Sequence, residues 1–403
     1  MPDKDFTIVE GGLLVAEEFL AAAAEAGVKK TGGLDMMMLH SQRPASAAAT
    51  ITPNQMRAAP TYVTQRHVAG GSARTVIANS GNANAATGAR GMAAAERMAE
   101  LAAQATGVEL AEALVCSTGR IGVQLPMDRI EAAIPKLAAS LARDTAHDAA
   151  LAIMTTDTVP KESSVAFEVG GRRVGMGAIC KGAGMICPNM ATMLCFIATD
   201  LAIAPGLLDA ALEAAVARSF NCISVDGDMS TNDTVIVLAN GAAGNDLISS
   251  PEDPGYGLFA SALGHVTQDL AKQIAADGEG ASKFVTVQVT GAASYEQAHA
   301  VARHITRYNL VKSCIWGQDF NWGRIAAAVG AAGVPLDPAV VQIRLCGITA
   351  FSQGEPVPYP EEEAQAAMQA HEIAIEVDLG AGEQGATCWT CDLTPDYVTL
   401  NAT

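Results

Sequence analysis

Two kinds of short segment alternate along this chain of 403 residues, and their alternation restricts the fold more than any single motif. Alanine-rich segments have the spacing of amphipathic helices, and short runs rich in β-branched residues have the pattern of strands. Several of the strand patterns follow one another directly. This order predicts an α/β or α+β protein in which helix layers cover packed sheets.

The predicted elements can be placed by residue number. Helical spacing is clearest in the segments 92–107, 127–144, 207–220, 263–277, 295–308 and 361–371. Strand patterns are clearest in the segments 75–79, 164–169, 193–198, 234–240, 284–290, 340–346 and 373–379. A stretch that contains Pro and Gly, 249–257, predicts a surface loop.

The composition argues against nucleic-acid binding. Asp and Glu number 43 against 25 Lys and Arg, which gives a formal net charge of −18. The Lys pair at 29–30 and the Arg pair at 172–173 are isolated, and aromatic residues make up only 4%. Because such a chain offers phosphates neither a basic patch nor a stacking surface, we expect no nucleic-acid partner.

The cysteines and the hydropathy indicate a cellular compartment. There are 9 cysteines, mostly in apolar runs, which favours buried thiols in a reducing environment. Cys388 and Cys391 have the spacing of a redox pair or half a zinc site, but without a second pair a structural role is the better interpretation. We find neither a signal-peptide pattern nor about 18 consecutive uncharged apolar residues. We therefore expect a cytoplasmic protein that does not bind membranes.

Two motifs suggest a site for a small polar molecule, although each has a simpler explanation. In CSTGRIG, which starts at Cys116, Gly119 suits a strand-to-turn connection, but its N–H and the Thr118 hydroxyl are also suited to hold an oxyanion. In IMTTDT, which starts at Ile153, Thr155 belongs either to helix-end and turn chemistry or to a polar wall around a zwitterion.

Two glycine-containing motifs place a charged residue beside flexible backbone. Lys181 opens KGAGMICPNMATML, where it either lies in solvent beside a turn or meets a ligand together with the backbone. The order of a P-loop is missing there. Glu279 lies between two glycines in DGEGASKF, which either end a helix or let the carboxylate project into a cleft.

The segment SVDGDMSTNDT, which starts at Ser224, is rich in oxygen ligands and resembles a calcium loop in composition. Counted from Asp226, its sixth residue is Thr231 rather than Gly, and its twelfth is Val237 rather than Glu. A polar loop held by side-chain-to-backbone hydrogen bonds is the better interpretation. We expect no metal there.

Thr192, in the run CPNMATMLCF, has two interpretations. The first is an ordinary strand residue, since Thr suits a pleated surface. The second is a nucleophile, for which no His in a Ser-His-Asp pattern is available as a base. Cleavage of the Ala191–Thr192 bond would supply one, because the new α-amine, with a pKa of about 7.7–8.0, can take the hydroxyl proton.

Taken together and in order, these segments resemble the ArgJ family of glutamate N-acetyltransferases and ornithine acetyltransferases. The matching segments span nearly the whole chain, and the block at 181–200 is the most specific of them. They read RPASAA, NSGNANAATG, STGRIG, IMTTDT, KGAGMICPNMATMLCFIATD, DGDMSTNDT, LANG, DGEGASKF, NWGRI and CDLTPDYV.

The resemblance implies a fold and a chain division. The fold is an α/β (α+β) protein, a DmpA/ArgJ-like αββα layered sandwich with a smaller C-terminal lid region. Self-cleavage between Ala191 and Thr192 gives an α chain of 1–191 and a β chain of 192–403. Residues from 192 to about 284 complete the sandwich, and those from about 285 to 403 form the lid and C-terminal region. Two α and two β chains assemble as a heterotetramer.

The resemblance also implies residue roles. Thr192 is the nucleophile, Thr118 and Gly119 form the oxyanion pair, and Glu279 joins them as a catalytic residue. Substrate contacts fall on Thr155, Lys181, Thr192, Glu279, Asn401 and Thr403. By a ping-pong mechanism, acetyl passes from N-acetylornithine to Thr192 and then to glutamate, in arginine biosynthesis. No cofactor or metal is implied, although some members accept acetyl-CoA as a substrate.

Three alternatives remain on the sequence. The first is an amidase or aminopeptidase of the same fold, in which water takes the acyl group, and the second is a non-catalytic scaffold. A related enzyme acting on another N-acylated amino acid is also open, because Phe320 and the pair Tyr308-Asn309 depart from the family pattern. The intact set of Thr192, Thr118 and Gly119 favours an enzyme.

Overall fold

The computed structural model describes residues 6–187 and 193–402. Within these, the chain forms two compact units. The first unit holds residues 6–182, 193–221 and 229–270, and the second holds 183–187, 222–228 and 271–402. The predicted division at Ala191–Thr192 concerns a covalent cut rather than packing, and it stays a prediction.

The strands and helices follow one another along the described chain with short connections. The strands are β1 Phe6–Ile8, β2 Phe19–Ala24, β3 Met36–Ser41, β4 Ser46–Ile51, β5 Thr75–Asn79, β6 Ala113–Ser117, β7 Lys161–Val169, β8 Arg172–Lys181, β9 Leu194–Thr199, β10 Ile223–Ser224, β11 Thr234–Ala239, β12 Phe284–Ala292, β13 Gln342–Leu345, β14 Ile348–Ser352, β15 Glu355–Pro356, β16 Glu372–Asp378 and β17 Gln384–Cys391. The α-helices are α1 Ala59–Val68, α2 Gly88–Thr106, α3 Met127–Ala139, α4 Ala146–Ile153, α5 Pro205–Ala217, α6 Pro254–Ala276, α7 Tyr295–Arg307, α8 Asn309–Trp316, α9 Trp322–Gly330, α10 Glu361–Ala367 and α11 Pro395–Asn401.

The first unit contains two sheets that face each other. One has six strands in the order β1-β7-β8-β9-β11-β4, and the other has four in the order β2-β3-β5-β6. Side chains from both sheets share one buried core, with Phe19 and Leu39 on the four-stranded side and Phe196 and Ile236 on the six-stranded side. Strands buried on both faces explain the continuous apolar runs in β9 and β11.

Helices cover the outer faces of this pair of sheets. Met38 and Ile77 of the four-stranded sheet share a second core with helices α1, α2 and α3. Helix α5 packs beside β4 of the six-stranded sheet. This order of helix, sheet, sheet and helix confirms the predicted α/β sandwich.

The second unit has a seven-stranded sheet in the order β10-β17-β12-β16-β13-β14-β15. Strand β12 runs parallel to β16 and antiparallel to β17. Helix α7 packs on β12 and β17 through buried residues such as Val301 and Ile305. The expectation that the C-terminal region acts as a lid stays a prediction.

Most of the predicted elements are present with shifted ends. Strand β5 has the predicted limits, and α7 ends one residue early. The predicted surface loop at 249–257 is wrong in its second half, because Pro254 begins α6. Proline suits the first turn of a helix, where its missing N–H costs no hydrogen bond.

Among the described helices, none is both long and apolar enough to cross a membrane.

Candidate active site

Three strands of the six-stranded sheet bring the predicted catalytic segments to one end of that sheet. Lys181, the last residue of β8, pairs with Leu194, the first residue of β9. Leu194 also pairs with Thr234, the first residue of β11. Ala191 and Thr192 lie outside the described residues, and the described chain resumes immediately before β9. Lys181 is therefore at the sheet end where the predicted nucleophile segment enters.

Asp233 holds the start of β9. The backbone N–H of Met193 donates to Asp233 Oδ1 at 3.1 Å, and the Asp233 side chain is fully buried. Burial raises the pKa of the Asp233 carboxyl to about 8, although the Met193 N–H and the Lys181 charge act in the opposite direction. In the sequence, Asp233 is one of several oxygen-bearing residues of SVDGDMSTNDT, and no pattern there singles it out.

The neighbouring Asn232 connects this loop to the predicted oxyanion pair. Its Nδ2 group donates to the backbone oxygens of Ala83 and Ser117, at 2.7 Å in each case. Ser117 is the last residue of β6 and directly precedes Thr118 and Gly119. The loop before β11 therefore links both sheets of the first unit at the end where the predicted site residues lie.

The geometry at Thr118 and Gly119 defines which donors each can offer. Thr118 is buried, and its backbone N–H already donates to Asn79 O at 3.0 Å, so its hydroxyl is the group left for an oxyanion. Gly119 has a φ of +131°, and a Cβ there would lie 2.3 Å from the carbonyl carbon of Gly81. Only glycine fits this position.

A buried cluster of charges surrounds the end of β8. Asp157 Oδ1 accepts from Lys161 Nζ at 2.8 Å and from the Gly182 N–H at 2.6 Å, and Oδ2 accepts from the Thr155 N–H at 3.0 Å. Burial alone raises the pKa of Asp157, but the charges of Lys181 and Lys161 lower it to about 2. Lys181 is 1% exposed, so the alternative that placed it in solvent beside a turn is wrong.

The second unit holds another pair of predicted site residues. The backbone N–H of Glu279 donates to Ala183 O at 2.9 Å, and Asn401 Nδ2 donates to Glu279 Oε2 at 2.7 Å. A Cβ on Gly184 would lie 2.3 Å from the Glu279 carboxylate, so the carboxylate occupies space that only a glycine leaves open. Thr403 lies outside the described residues.

The loop whose composition resembles a calcium site is held together by hydrogen bonds between the Asp226 carboxylate and backbone N–H groups. Asp226 accepts from the N–H groups of Met185, Ile186 and Asp228, at 2.6, 2.9 and 3.1 Å. Tyr397 Oη donates to Asp226 Oδ2 at 3.3 Å. These contacts are the side-chain-to-backbone bonds of a folded polar loop.

Within the first unit, then, the predicted residues form a coherent group. Thr155 and Lys181 share the charge cluster at Asp157, and Thr118 and Gly119 connect through Asn232 to the loop that holds the start of β9. Asp157, Asn232 and Asp233 are the residues that sequence reasoning missed. Their signal was present in the polar motifs, but only the sheet pairing shows which ends of the strands come together.

The fold and this group define a class: an α/β sandwich with buried cations and a glycine-restricted turn at one end of its paired sheets. The chain belongs to the ArgJ family, whose profile matches residues 20–403.

Curated relatives agree with this membership. The chain is 48% identical to an arginine biosynthesis bifunctional protein ArgJ of Symbiobacterium thermophilum over 393 residues, 97% of this chain and 98% of that protein. It is 45% identical to the protein of the same name from Geobacter sulfurreducens, over 95% of this chain and 98% of that one. A crystal structure of an ArgJ protein from Bacillus halodurans, 45% identical, covers 50% of this chain and 95% of its own, with a TM-score of 0.49.

Proposed function

We propose that this chain is a self-cleaving acetyltransferase that moves acetyl from N-acetylornithine to glutamate in arginine biosynthesis. The relatives named arginine biosynthesis bifunctional protein ArgJ support a role in this pathway. The observation that carries the proposal is the strand pairing that places Lys181 beside the start of β9, which follows Thr192. We further propose a cytoplasmic α2β2 heterotetramer, with acetyl-CoA as a possible second acetyl donor.

Self-cleavage comes first in this mechanism. The Thr192 hydroxyl attacks the carbonyl carbon of Ala191, its proton passes to the departing nitrogen, and the peptide bond becomes an ester. Water then hydrolyses the ester, which leaves a carboxylate on Ala191 and an α-amine on Thr192. The hydrogen bond from Met193 to Asp233 supports this step, since it fixes the backbone directly after the reacting residue.

Acetyl transfer then uses the new amine as the base. It takes the proton of the Thr192 hydroxyl while the oxygen attacks the acetyl carbonyl of N-acetylornithine. The Thr118 hydroxyl and the Gly119 N–H donate to the tetrahedral oxyanion, and each such donor typically contributes about 3 kcal/mol to transition-state stabilisation. The intermediate collapses to acetyl-Thr192, and the proton leaves with ornithine.

The second half of the cycle reverses these steps with a different amine. The amino group of glutamate attacks acetyl-Thr192, its proton passes to the Thr192 amine and then to the threonine oxygen, and N-acetylglutamate leaves.

Lys181 is buried, so its ammonium is suited to pair with an α-carboxylate common to both substrates. We assign Glu279 to the substrate's amino groups, and Thr155 and Asn401 to further contacts. The reaction is a nucleophilic substitution in which no electrons are transferred, and we propose that it needs no cofactor.

The first experiment is intact mass spectrometry of the purified wild type beside Thr192→Ala and Thr192→Ser. We expect two fragments, ending at Ala191 and starting at Thr192, in the wild type. Thr192→Ser keeps a hydroxyl and should also cleave, whereas Thr192→Ala should stay a single chain. An uncut wild type would contradict the amine-based mechanism and favour a non-catalytic scaffold.

The alternative is an amidase of the same fold, which differs in the acceptor. With N-acetylornithine carrying a labelled acetyl group, transfer predicts label on glutamate in amounts that match the ornithine released. An amidase predicts free labelled acetate whether or not glutamate is present. Parallel assays with other N-acetylated amino acids test whether ornithine is the preferred donor.

A further inference from the structure

Three side chains with strong metal affinity meet in the second unit, and acetyl transfer uses none of them. The sulfur atoms of Cys222 and Cys388 and a ring nitrogen of His299 all lie within 4.8 Å of one another. Both cysteines are buried and His299 is partly buried. The group combines residues more than 160 positions apart in the sequence, so sequence spacing gives no sign of it.

The pairing of β10 with β17 brings the two cysteines close to each other. Strands β10 and β17 run parallel, with Ile223 opposite Trp389 and Ser224 opposite Thr390. Cys388 directly precedes Trp389 in β17, and Cys222 is the last residue of a 3-10 helix, Phe220–Cys222, that leads directly into β10. Helix α7, which carries His299, packs on both strands.

Cys391 is not part of this group, although it has CxxC spacing with Cys388. Along the strand β17, residues three apart point to opposite faces. Their Cα atoms are about 10 Å apart at the rise of a strand, which is more than the roughly 7 Å that a disulfide spans. Cys391 Sγ instead lies 3.8 Å from Lys312 Nζ. The pair that shares a site is therefore Cys222 and Cys388.

We propose that Cys222, Cys388 and His299 bind one Zn²⁺ ion. Two thiolates and an imidazole form a donor set that zinc prefers, whereas calcium and magnesium require oxygen ligands. At tetrahedral zinc, ligand atoms about 2.0–2.3 Å from the ion are roughly 3.4–3.8 Å from one another. The separations in this group, up to 4.8 Å, need only small side-chain adjustments to reach that geometry.

Tyr295 supports the proposed ligands from the same helix. Its ring stacks on the His299 ring, with centroids 5.5 Å apart and an angle of 12° between the planes. Its hydroxyl lies 3.7 Å from Cys222 Sγ. An aromatic neighbour that fixes the imidazole, together with a nearby hydroxyl, is the kind of surrounding that orients metal ligands.

The ion has a structural role in this proposal, because it joins β10, β17 and α7. Strand β10 has only two residues, so it contributes few hydrogen bonds of its own. It leads directly to Val225, whose N–H donates to Ile186 O at 2.7 Å, and to Asp226. A metal at Cys222 would therefore fix the strand from which this polar loop departs.

The test measures zinc directly in the purified full-length protein. The chain is stripped with a chelator, re-equilibrated with Zn²⁺ and analysed for metal content, and affinity is obtained by competition with a chromophoric chelator. We expect one Zn²⁺ per chain. Removing a neighbour of a metal ligand typically costs 10–100-fold in affinity, so Cys222→Ser and Cys388→Ser should each weaken binding by at least about 100-fold.

Cys391→Ser is the matched control, since it removes a buried thiol of the same strand and should retain zinc. Co²⁺ bound to the wild type should give thiolate-to-cobalt absorption bands, a readout that does not depend on any variant folding. A wild type that takes up no stoichiometric zinc would overturn the proposal. So would equal zinc loss in Cys391→Ser, or a Cys222–Cys388 disulfide in protein purified without an oxidant. None of these results would bear on acetyl transfer, which is assayed separately.

Discussion

At the scale of single residues, Asp233 has the least ordinary environment in the candidate site. It is a fully buried carboxyl that accepts a backbone N–H from Met193, and burial raises its pKa to about 8. At neutral pH it is therefore mostly protonated, and an Asn side chain would resemble it in charge and in its accepting oxygen. The two substitutions Asp233→Asn and Asp233→Ala thus separate its charge from its hydrogen bond.

We predict that Asp233→Ala slows self-cleavage about 10-fold, because loss of a buried hydrogen bond costs about 1–3 kcal/mol and loosens the start of β9. Asp233→Asn should cleave within about threefold of the wild type at pH 7. The rates are read from the loss of uncut chain on denaturing gels after expression in a short pulse. Equal rates in the wild type and Asp233→Ala would remove Asp233 from the cleavage step.

Substitution of two glycines by alanine tests the positions of Gly119 and of the Glu279 carboxylate, because it adds a methyl group and removes no side chain. A Cβ on Gly119 would meet backbone atoms of Gly81 and Asn82, whereas a Cβ on Gly184 would meet only the end of the Glu279 side chain. We predict that Gly184→Ala costs less than about 1 kcal/mol in stability but lowers kcat/KM about 10-fold by displacing the carboxylate. Gly119→Ala should cost about 2–4 kcal/mol through strain and overlap.

Gly264→Ala is the control for both, since nothing lies within 4 Å of a Cβ at that position in α6. It should leave kcat/KM unchanged and leave the unfolding midpoint equal or slightly raised. Stability is measured by denaturant unfolding, and activity by release of ornithine. Wild-type kinetics in Gly184→Ala would count against a substrate contact at Glu279.

At the scale of secondary-structure elements, the charge cluster between β7 and β8 predicts how stability changes in acid. The pKa of Asp157 is about 2 in the folded chain, against 3.8 for the ordinary side chain. A carboxyl whose pKa falls on folding stabilises the fold above its unfolded pKa, and this contribution disappears as the pH falls through its folded pKa. The size follows from the shift, about 2 kcal/mol.

We therefore predict that Asp157→Asn lowers the free energy of unfolding by about 2 kcal/mol at pH 7 and has a smaller effect at pH 2–3. The measurement compares denaturant unfolding of the wild type and the variant at a series of pH values, both on the uncut Thr192→Ala background. Glu168→Gln, on an exposed position of β7, is the matched control and should leave this part of the curve unchanged. A difference that is constant across the pH range would contradict the charge pairing.

The strands also show which secondary-structure elements can be predicted from sequence patterns and which cannot. Strand β5 was predicted with its observed limits because its pattern matches a single period. Strands β2 and β3 were not predicted, since FLAAAA and MMMLHS consist mainly of residues that favour helices. Their partners in the four-stranded sheet and burial between layers override that preference.

The sequence motifs name candidate residues for the site, whose roles stay predictions, but they do not show how these residues come together. Motifs alone indicated Thr118, Gly119, Lys181 and Glu279, because glycines and isolated charges in apolar runs are unusual. No local pattern relates Asn232 to Ser117 across 115 residues, or Cys222 to Cys388, since those contacts depend on strand order. For the same reason, the motif IMTTDT does not distinguish Asp157 from its polar neighbours, since its contact with Gly182 depends on how the chain folds.

At the scale of the whole molecule, the predicted cut falls between two strands that remain hydrogen-bonded to each other. Strand β8 would belong to the α chain and β9 to the β chain, yet they pair over six positions, from Met176 opposite Thr199 to Lys181 opposite Leu194. Strand β11 pairs with β4 in the same way across the two chains. The six-stranded sheet therefore contains strands from both products.

We predict that the two fragments stay together after cleavage and separate only when the fold is lost. Size-exclusion chromatography should give the same elution volume for the cleaved wild type and for uncut Thr192→Ala. Denaturing gels should show two bands for the first and one for the second. Fragments that separate in native buffer would contradict the shared sheet.

Because the six-stranded sheet contains strands from both fragments, cleavage changes how the protein can refold after it has been unfolded. The uncut precursor folds as one chain, so the meeting of β8 and β9 is intramolecular and independent of concentration. Once the bond is gone, the same pairing requires two molecules to find each other, and regaining the fold becomes a second-order process. Cleaved protein that has been unfolded should thus recover poorly at low concentration, while its uncut counterpart recovers equally well at any dilution. If the predicted cut takes place, the peptide bond between Ala191 and Thr192 is a link that each chain needs only once, during its first folding.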